Sequence, residues 1–194
     1  MQILITGGTG LIGTALRQSL RDKGHQVSIV SRSSKISIPG IKTIPWDLEQ
    51  LKSEIESSDA VVNLAGSSLA GKNPLTMRWT KKRKSDIISS RTRAGSILTD
   101  ALILAEHKPE VFLQASAIGY YGNQGEAQVD DFSPAGDDFL AAVCQSWERA
   151  TENIEELGIR RIITRIGLVL SQEGGLLPLL SLPFKFYLGG KLGK

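Results

Sequence analysis

The sequence predicts an α/β fold, a doubly wound parallel sheet, on three observations. Short apolar runs rich in β-branched residues alternate with longer amphipathic stretches along the whole chain. The runs are apolar almost throughout, as expected of strands covered on both faces. A glycine-rich turn, TGGTGLIG, joins the first run to the first amphipathic stretch. The 194 residues suit one such domain and would be short for two.

The elements follow in order. Gln2–Ile5 is the first strand, and a helix over Leu11–Lys23 ends against Gly24, a glycine able to take a positive φ after a helix C-terminus. Strands are expected at Gln26–Val30, Lys42–Ile44, Ala60–Leu64, Val111–Ala115 and Arg160–Leu170. Helices are expected over Leu48–Ile55, Thr80–His107 and Asp137–Leu157. Beyond Gly174 and Gly175 the chain reads LLPLLSLPFKFYLGGKLGK, apolar and rich in glycine and proline. A tail of that kind is expected to pack against something further along, the alternative being a functional chain that ends in a loose apolar tail.

Composition narrows the function. Hydrophobic residues make up 41% and charged residues 22%, enough for a core and too mixed for disorder. A net charge of +3 and a pI near 9.0 are mildly basic. Seven Lys and Arg against one acid crowd residues 78–93, RWTKKRKSDIISSRTR. That segment begins the long helix, with Ile87, Ile88 and Leu98 facing the sheet. Its charges read as a solvated face, or as a guide for an anionic substrate or cofactor phosphate, and no nucleic-acid partner is expected. One cysteine and two histidines exclude an internal disulfide and argue against a structural zinc, so no metal is expected. His25 and His107 fall at helix ends and read as surface residues. No apolar run approaches the roughly 20 residues of a membrane helix, and the first strand leaves no room for a signal peptide before it. The expectation is a soluble protein of the cytoplasm or another reducing compartment, with a small-molecule substrate and no membrane partner.

In TGGTGLIG, Gly7, Gly10 and Gly13 let backbone N–H groups approach a pyrophosphate at a helix N-terminus. Thr9, Leu11 and Ile12 belong to the same turn. The G-x-x-G-x-x-G spacing resembles the extended branch of the short-chain dehydrogenase/reductase superfamily, which implies a Rossmann-like fold and an NAD(P) cofactor. Charge selects between the two cofactors. No acid lies between Gln26 and Ile44, whereas Arg32 follows the second strand with Ser31, Ser33 and Ser34 beside it. A guanidinium and hydroxyls suit a 2′-phosphate, so NADPH is favoured over NAD. As in family members, Asp47 is expected near the adenine. Asn63-Leu64-Ala65-Gly66 resembles the superfamily's N-x-A-G element, with Asn63, Ala65 and Gly66 beside the cofactor.

Superfamily enzymes commonly pair a serine at the end of the fifth strand with Tyr-x-x-x-Lys on the next helix. Ser116, in SAIGYYG, holds the serine position, but the tyrosine and lysine positions are Leu140 and Cys144. Glu148 falls where many extended members carry a glutamate, which supports this register. The Tyr-x-x-x-Lys pattern YLGGK, from Tyr187 to Lys191, contains two glycines that each cost a helix about 1 kcal/mol and is set aside. Tyr120 or Tyr121 is then the candidate proton donor, unless it only shapes the cofactor site. Asp130 and Asp131 lie beyond them, and Cys144 reads as a core residue.

Taken together, GGTGLIG, RWTKKRKSDIISSR, SAIGYYG, DDFLAAVCQSWE and RIGLVLSQEGGLLP resemble an atypical branch of extended members labelled "epimerase family", sometimes given a cell-division-inhibitor name. Members of that branch run longer and carry a small C-terminal domain. The resemblance implies residues 1–170 as an NAD(P)-binding Rossmann domain and residues 171–194 as the start of a truncated C-terminal substrate-binding region. It implies an NADP(H)-dependent oxidoreductase or epimerase-like enzyme acting on a small polar carbonyl or hydroxyl, nucleotide-sugar-like compounds included. The missing Tyr-x-x-x-Lys pair keeps a second expectation open, a non-catalytic NADPH-binding or redox-sensing module.

Overall fold

A computed structural model of the chain describes residues 1–33, 36–69, 78–175 and 177–191. Its centre is a six-stranded sheet with every neighbouring pair parallel: β1 (Gln2–Thr6), β2 (Gln26–Val30), β3 (Lys42–Ile44), β4 (Ala60–Asn63), β5 (Val111–Ala117) and β6 (Arg160–Ile166). The spatial order is β3-β2-β1-β4-β5-β6. The crossover direction therefore reverses between β1 and β4, the switch point at which open α/β sheets bind ligands beyond their carboxyl ends. The Rossmann-like doubly wound sheet expected from the sequence is the fold observed.

Period-two alternation in β1 explains why both faces of the sheet are covered. Leu4 enters one core with Val30, Ile44, Val61 and Phe112, which α2 (Leu48–Glu56) and α3 (Lys81–Leu104) close with Leu51, Ile55, Leu98 and Leu102. Ile3 and Ile5 enter the other with Val27, Ile29 and Val62, beneath Leu16 and Leu20 of α1 (Leu11–Asp22). Gly24 follows α1 with φ +80°, the role expected of it. The β5–α4 connection opens with a 3₁₀ turn over Ile118–Tyr121, and α4 (Phe139–Arg149) begins where Asp138 accepts a hydrogen bond from the Ala141 N–H.

Two expected spans are corrected. The helix over Asp137–Leu157 is α4 followed by a 3₁₀ segment, Glu152–Leu157. The break comes at Thr151, a fully buried residue whose hydroxyl lies 3.3 Å from both Gln114 Oε1 on β5 and the Glu148 carbonyl. The sixth strand ends at Ile166 rather than Leu170. Gly167 follows it, and a two-residue-per-strand hairpin, β7 (Leu170–Ser171) with β8 (Gly174–Gly175), leads to α5 (Leu177–Lys185). No helix among the described residues is long and apolar enough to cross a membrane.

Candidate functional site

The glycine turn is shaped by contacts that exclude side chains. Gly7 has φ +69°, and a Cβ there would lie 2.6 Å from the Leu64 carbonyl oxygen after β4. A Cβ on Gly13 would overlap the Gly7 carbonyl, so α1 presses directly onto the turn. The Gly10 N–H donates to the Gly7 carbonyl at 2.9 Å, closing it. Gly10 is also the N-cap of α1. It brings no capping side chain, and the first turn of α1 holds no acid. The N–H groups of Leu11, Ile12 and Gly13 thus end at a positive helix pole that no side chain among the described residues caps, beside exposed Thr9.

At the end of β2, the Ser31 N–H donates to the Ile44 carbonyl. The buried Ser31 hydroxyl closes a small turn, accepting from the Ser33 N–H at 3.1 Å and lying 3.3 Å from the Ser33 carbonyl. That turn sends Arg32 out to solvent, and Arg32 enters no ion pair among the described residues. Ser34 lies outside the described residues. Asp47 caps α2 by accepting from the Gln50 N–H at 3.0 Å, a structural role the sequence reading did not assign to it.

Across the switch point, a buried polar chain ties the strand ends together. The Thr6 hydroxyl donates to Asn63 Oδ1 at 2.7 Å, and Asn63 Nδ2 donates to Gln114 Oε1 at 2.9 Å. Asn63 Oδ1 also receives the Ala65 N–H, which turns the chain towards Gly66. Gly66 must be small, because a Cβ there would lie 2.9 Å from Arg91 Cζ. Here the basic segment departs from a purely solvated face. Arg91 is buried, donates to the Ser67 carbonyl at 3.1 Å and stacks on Trp147, and burial pulls its pKa below the ordinary arginine value. Arg83 donates to the Ser68 carbonyl at 2.7 Å. Both side chains hold the loop after β4 by donating to its carbonyls.

The expected Ser116, Tyr120 and Tyr121 do come together, through two residues that the sequence reading did not place in the site. Ser116 is buried and donates to Glu148 Oε1 on α4 at 2.5 Å. Arg165, near the end of β6, grips the same carboxylate with Nε and Nη2, each at 3.1 Å. Its Nη1 donates to the Tyr121 hydroxyl at 2.9 Å and to the Asp131 carbonyl at 3.3 Å, while the guanidinium lies 3.5 Å from the Tyr120 ring centre. Hydrogen bonding to Glu148, ahead of every other influence, holds the Arg165 pKa above the ordinary arginine value. Cys144 is packed in the core, 3.7 Å from the Ala117 carbonyl, and burial pushes its thiol pKa up. One sequence signal could have revealed Arg165: an arginine inside the apolar strand IITRIG needs a buried partner.

The family model described as "NAD dependent epimerase/dehydratase family" matches residues 3–171. An epimerase family protein of Staphylococcus saprophyticus is 41% identical over 192 residues, covering 98% of this chain and 62% of its own length. The crystal structure of human epimerase family protein SDR39U1 (isoform 2) with NADPH superposes with a TM-score of 0.83 at 35% identity, covering 100% of this chain and 63% of that one. The nucleoside-diphosphate sugar epimerase from Corynebacterium glutamicum gives a TM-score of 0.80 at 34% identity, covering 100% of this chain and 39% of that one. The chain thus spans less than two thirds of the length of these relatives.

Proposed function

Because the chain belongs to the NAD dependent epimerase/dehydratase family, we propose that it binds NADP(H) at the switch point and acts as an oxidoreductase or epimerase-like enzyme on a small polar carbonyl or hydroxyl compound, nucleotide-sugar-like substrates included. The observation that carries the proposal is the glycine cradle. Gly7 and Gly13 leave no room for side chains, and the α1 N-terminus is left uncapped, as close approach of a pyrophosphate requires. Gly7, Thr9, Gly10, Leu11, Ile12 and Gly13 would hold the pyrophosphate. Ser31, Arg32 and Ser33 would hold a 2′-phosphate, Asp47 would lie towards the adenine, and Asn63, Ala65 and Gly66 would line the cleft beyond β4. The NADPH in the human relative's crystal structure supports the choice of cofactor.

A bound nicotinamide supplies or accepts a hydride, so the chain itself must position the substrate and handle a proton. The Ser116 proton is directed to Glu148, so towards a substrate hydroxyl Ser116 would act through its oxygen, as an acceptor. The Tyr121 oxygen accepts from Arg165, leaving its own O–H to donate to a substrate oxygen, with a fixed positive charge beside the atom the proton leaves. Tyr120 covers the other side of the same guanidinium and is the alternative donor. Residues 1–170 would form the cofactor domain, and residues 171–194 would begin the substrate-binding region.

One observation favours a second reading, a non-catalytic NADPH-binding or redox-sensing module: Leu140 and Cys144 lie on α4, and the superfamily resemblance would put the usual tyrosine and lysine at those positions. NADPH consumption measured with a panel of polar aldehydes, ketones and nucleotide sugars separates the two. Turnover that falls at least about a hundredfold in Tyr121→Phe and Tyr120→Phe combined supports an enzyme. NADPH that binds and is never consumed supports the module.

A further inference from the structure

We infer that Arg17, on the buried side of α1, is a second cation for the 2′-phosphate of the cofactor and helps to determine NADP(H) preference. This rests on the cofactor reading above and adds a residue on a different element from the β2 end. Arg17 is half-buried, and its Nε donates to the Gly8 carbonyl at 3.1 Å. Gly8 is the turn residue that packs on β2, since a Cβ there would lie 2.5 Å from Ile29 Cγ2, whereas Gly7 abuts Leu64 after β4. Arg17 is therefore anchored on the β2 side of the turn.

One helical turn further along, Arg21 shows which way this stripe of α1 faces. A Cβ on Gly40 would meet Arg21 Nη2 at 2.9 Å, so the stripe looks onto the β2–β3 connection. That connection begins with Ser31, Arg32 and Ser33. Neither Arg17 nor Arg32 has an ion-pair partner among the described residues, and the nearest acid along α1, Asp22, accepts from Gln18. The bond from Nε fixes the Arg17 guanidinium, while among the described residues its two terminal nitrogens meet no protein acceptor. Such a fork fits phosphate oxygens. In a dinucleotide bound at this switch point, the phosphate on the β2 side is the 2′-phosphate, while the pyrophosphate sits at the α1 N-terminus.

Titration of the chain with NADPH and with NADH, followed by nicotinamide fluorescence, tests the inference in wild type, Arg17→Gln and Arg17→Lys. The expected result is NADPH affinity lowered about tenfold in Arg17→Gln, as for loss of one charge-assisted contact, with NADH affinity within about twofold of wild type and Arg17→Lys in between. An unchanged NADPH-to-NADH ratio in Arg17→Gln, with wild type still preferring NADPH, overturns the role of Arg17 alone. Equal weakening of both cofactors also overturns it, because Arg17 would then serve the shared pyrophosphate. Wild type that binds NADPH no better than NADH overturns it together with the cofactor preference on which it rests.

Discussion

Arg165 illustrates how one side chain can organise the end of a sheet. It joins Glu148 of α4, the Tyr120–Tyr121 turn and the Asp131 carbonyl to the last strand, and Ser116 completes the cluster from β5. Replacing the carboxylate by a neutral amide leaves a partly buried guanidinium without its counter-charge and one acceptor oxygen where two now serve Arg165 and Ser116. Glu148→Gln should therefore lower stability by about 3 kcal/mol in urea denaturation. Cys144 offers a test of the same region by chemistry. Its burial and raised pKa keep the thiol protonated and covered, so iodoacetamide at pH 8 should label it in urea and leave it largely unlabelled in the native chain. Gly7, Gly10, Gly13, Arg32 and Ser116 were legible in the sequence because each sits in a local motif or at a strand end. Arg165 and the burial of Arg91 were not, because both depend on partners brought close only by the fold.

At the scale of elements, all six strands and the four main helices could be read from apolar periodicity, since each buries a face against its neighbours. Two errors fall at ends, where tertiary contacts decide, and the β7–β8 hairpin and α5 were not expected at all. Thr151 ends α4 by reaching for Gln114 on a strand 37 residues earlier, which no local pattern encodes. The start of α4 is local: Asp138 satisfies the Ala141 N–H at 2.8 Å. Asp138→Ala should cost about 1 kcal/mol, seen as a lower urea midpoint with an unchanged m-value. Because α4 carries Glu148, it should also slightly loosen the Arg165 cluster.

For the whole molecule, strand alternation implied a parallel sheet, but the order β3-β2-β1-β4-β5-β6 emerges only from the fold. That order brings the glycine turn, the β2 end and the N-x-A-G loop to one edge. The apolar tail is exposed at Leu182, Phe184, Phe186, Tyr187 and Leu188, in keeping with the proposal that residues 171–194 open a substrate-binding region. A ligand bound at the switch point touches several elements at once and should raise the stability of the whole domain. NADPH at a hundred times its Kd should add about 2.7 kcal/mol, seen as a rise in Tm. The most direct test of the account is a fluorescence titration with NADPH and NADH, repeated with Arg32→Asp. Tight NADPH binding, weak NADH binding and a reversed preference in the variant are the predicted result. Binding of neither cofactor by the folded chain would contradict it, leaving the glycine turn a structural corner and not a nucleotide site.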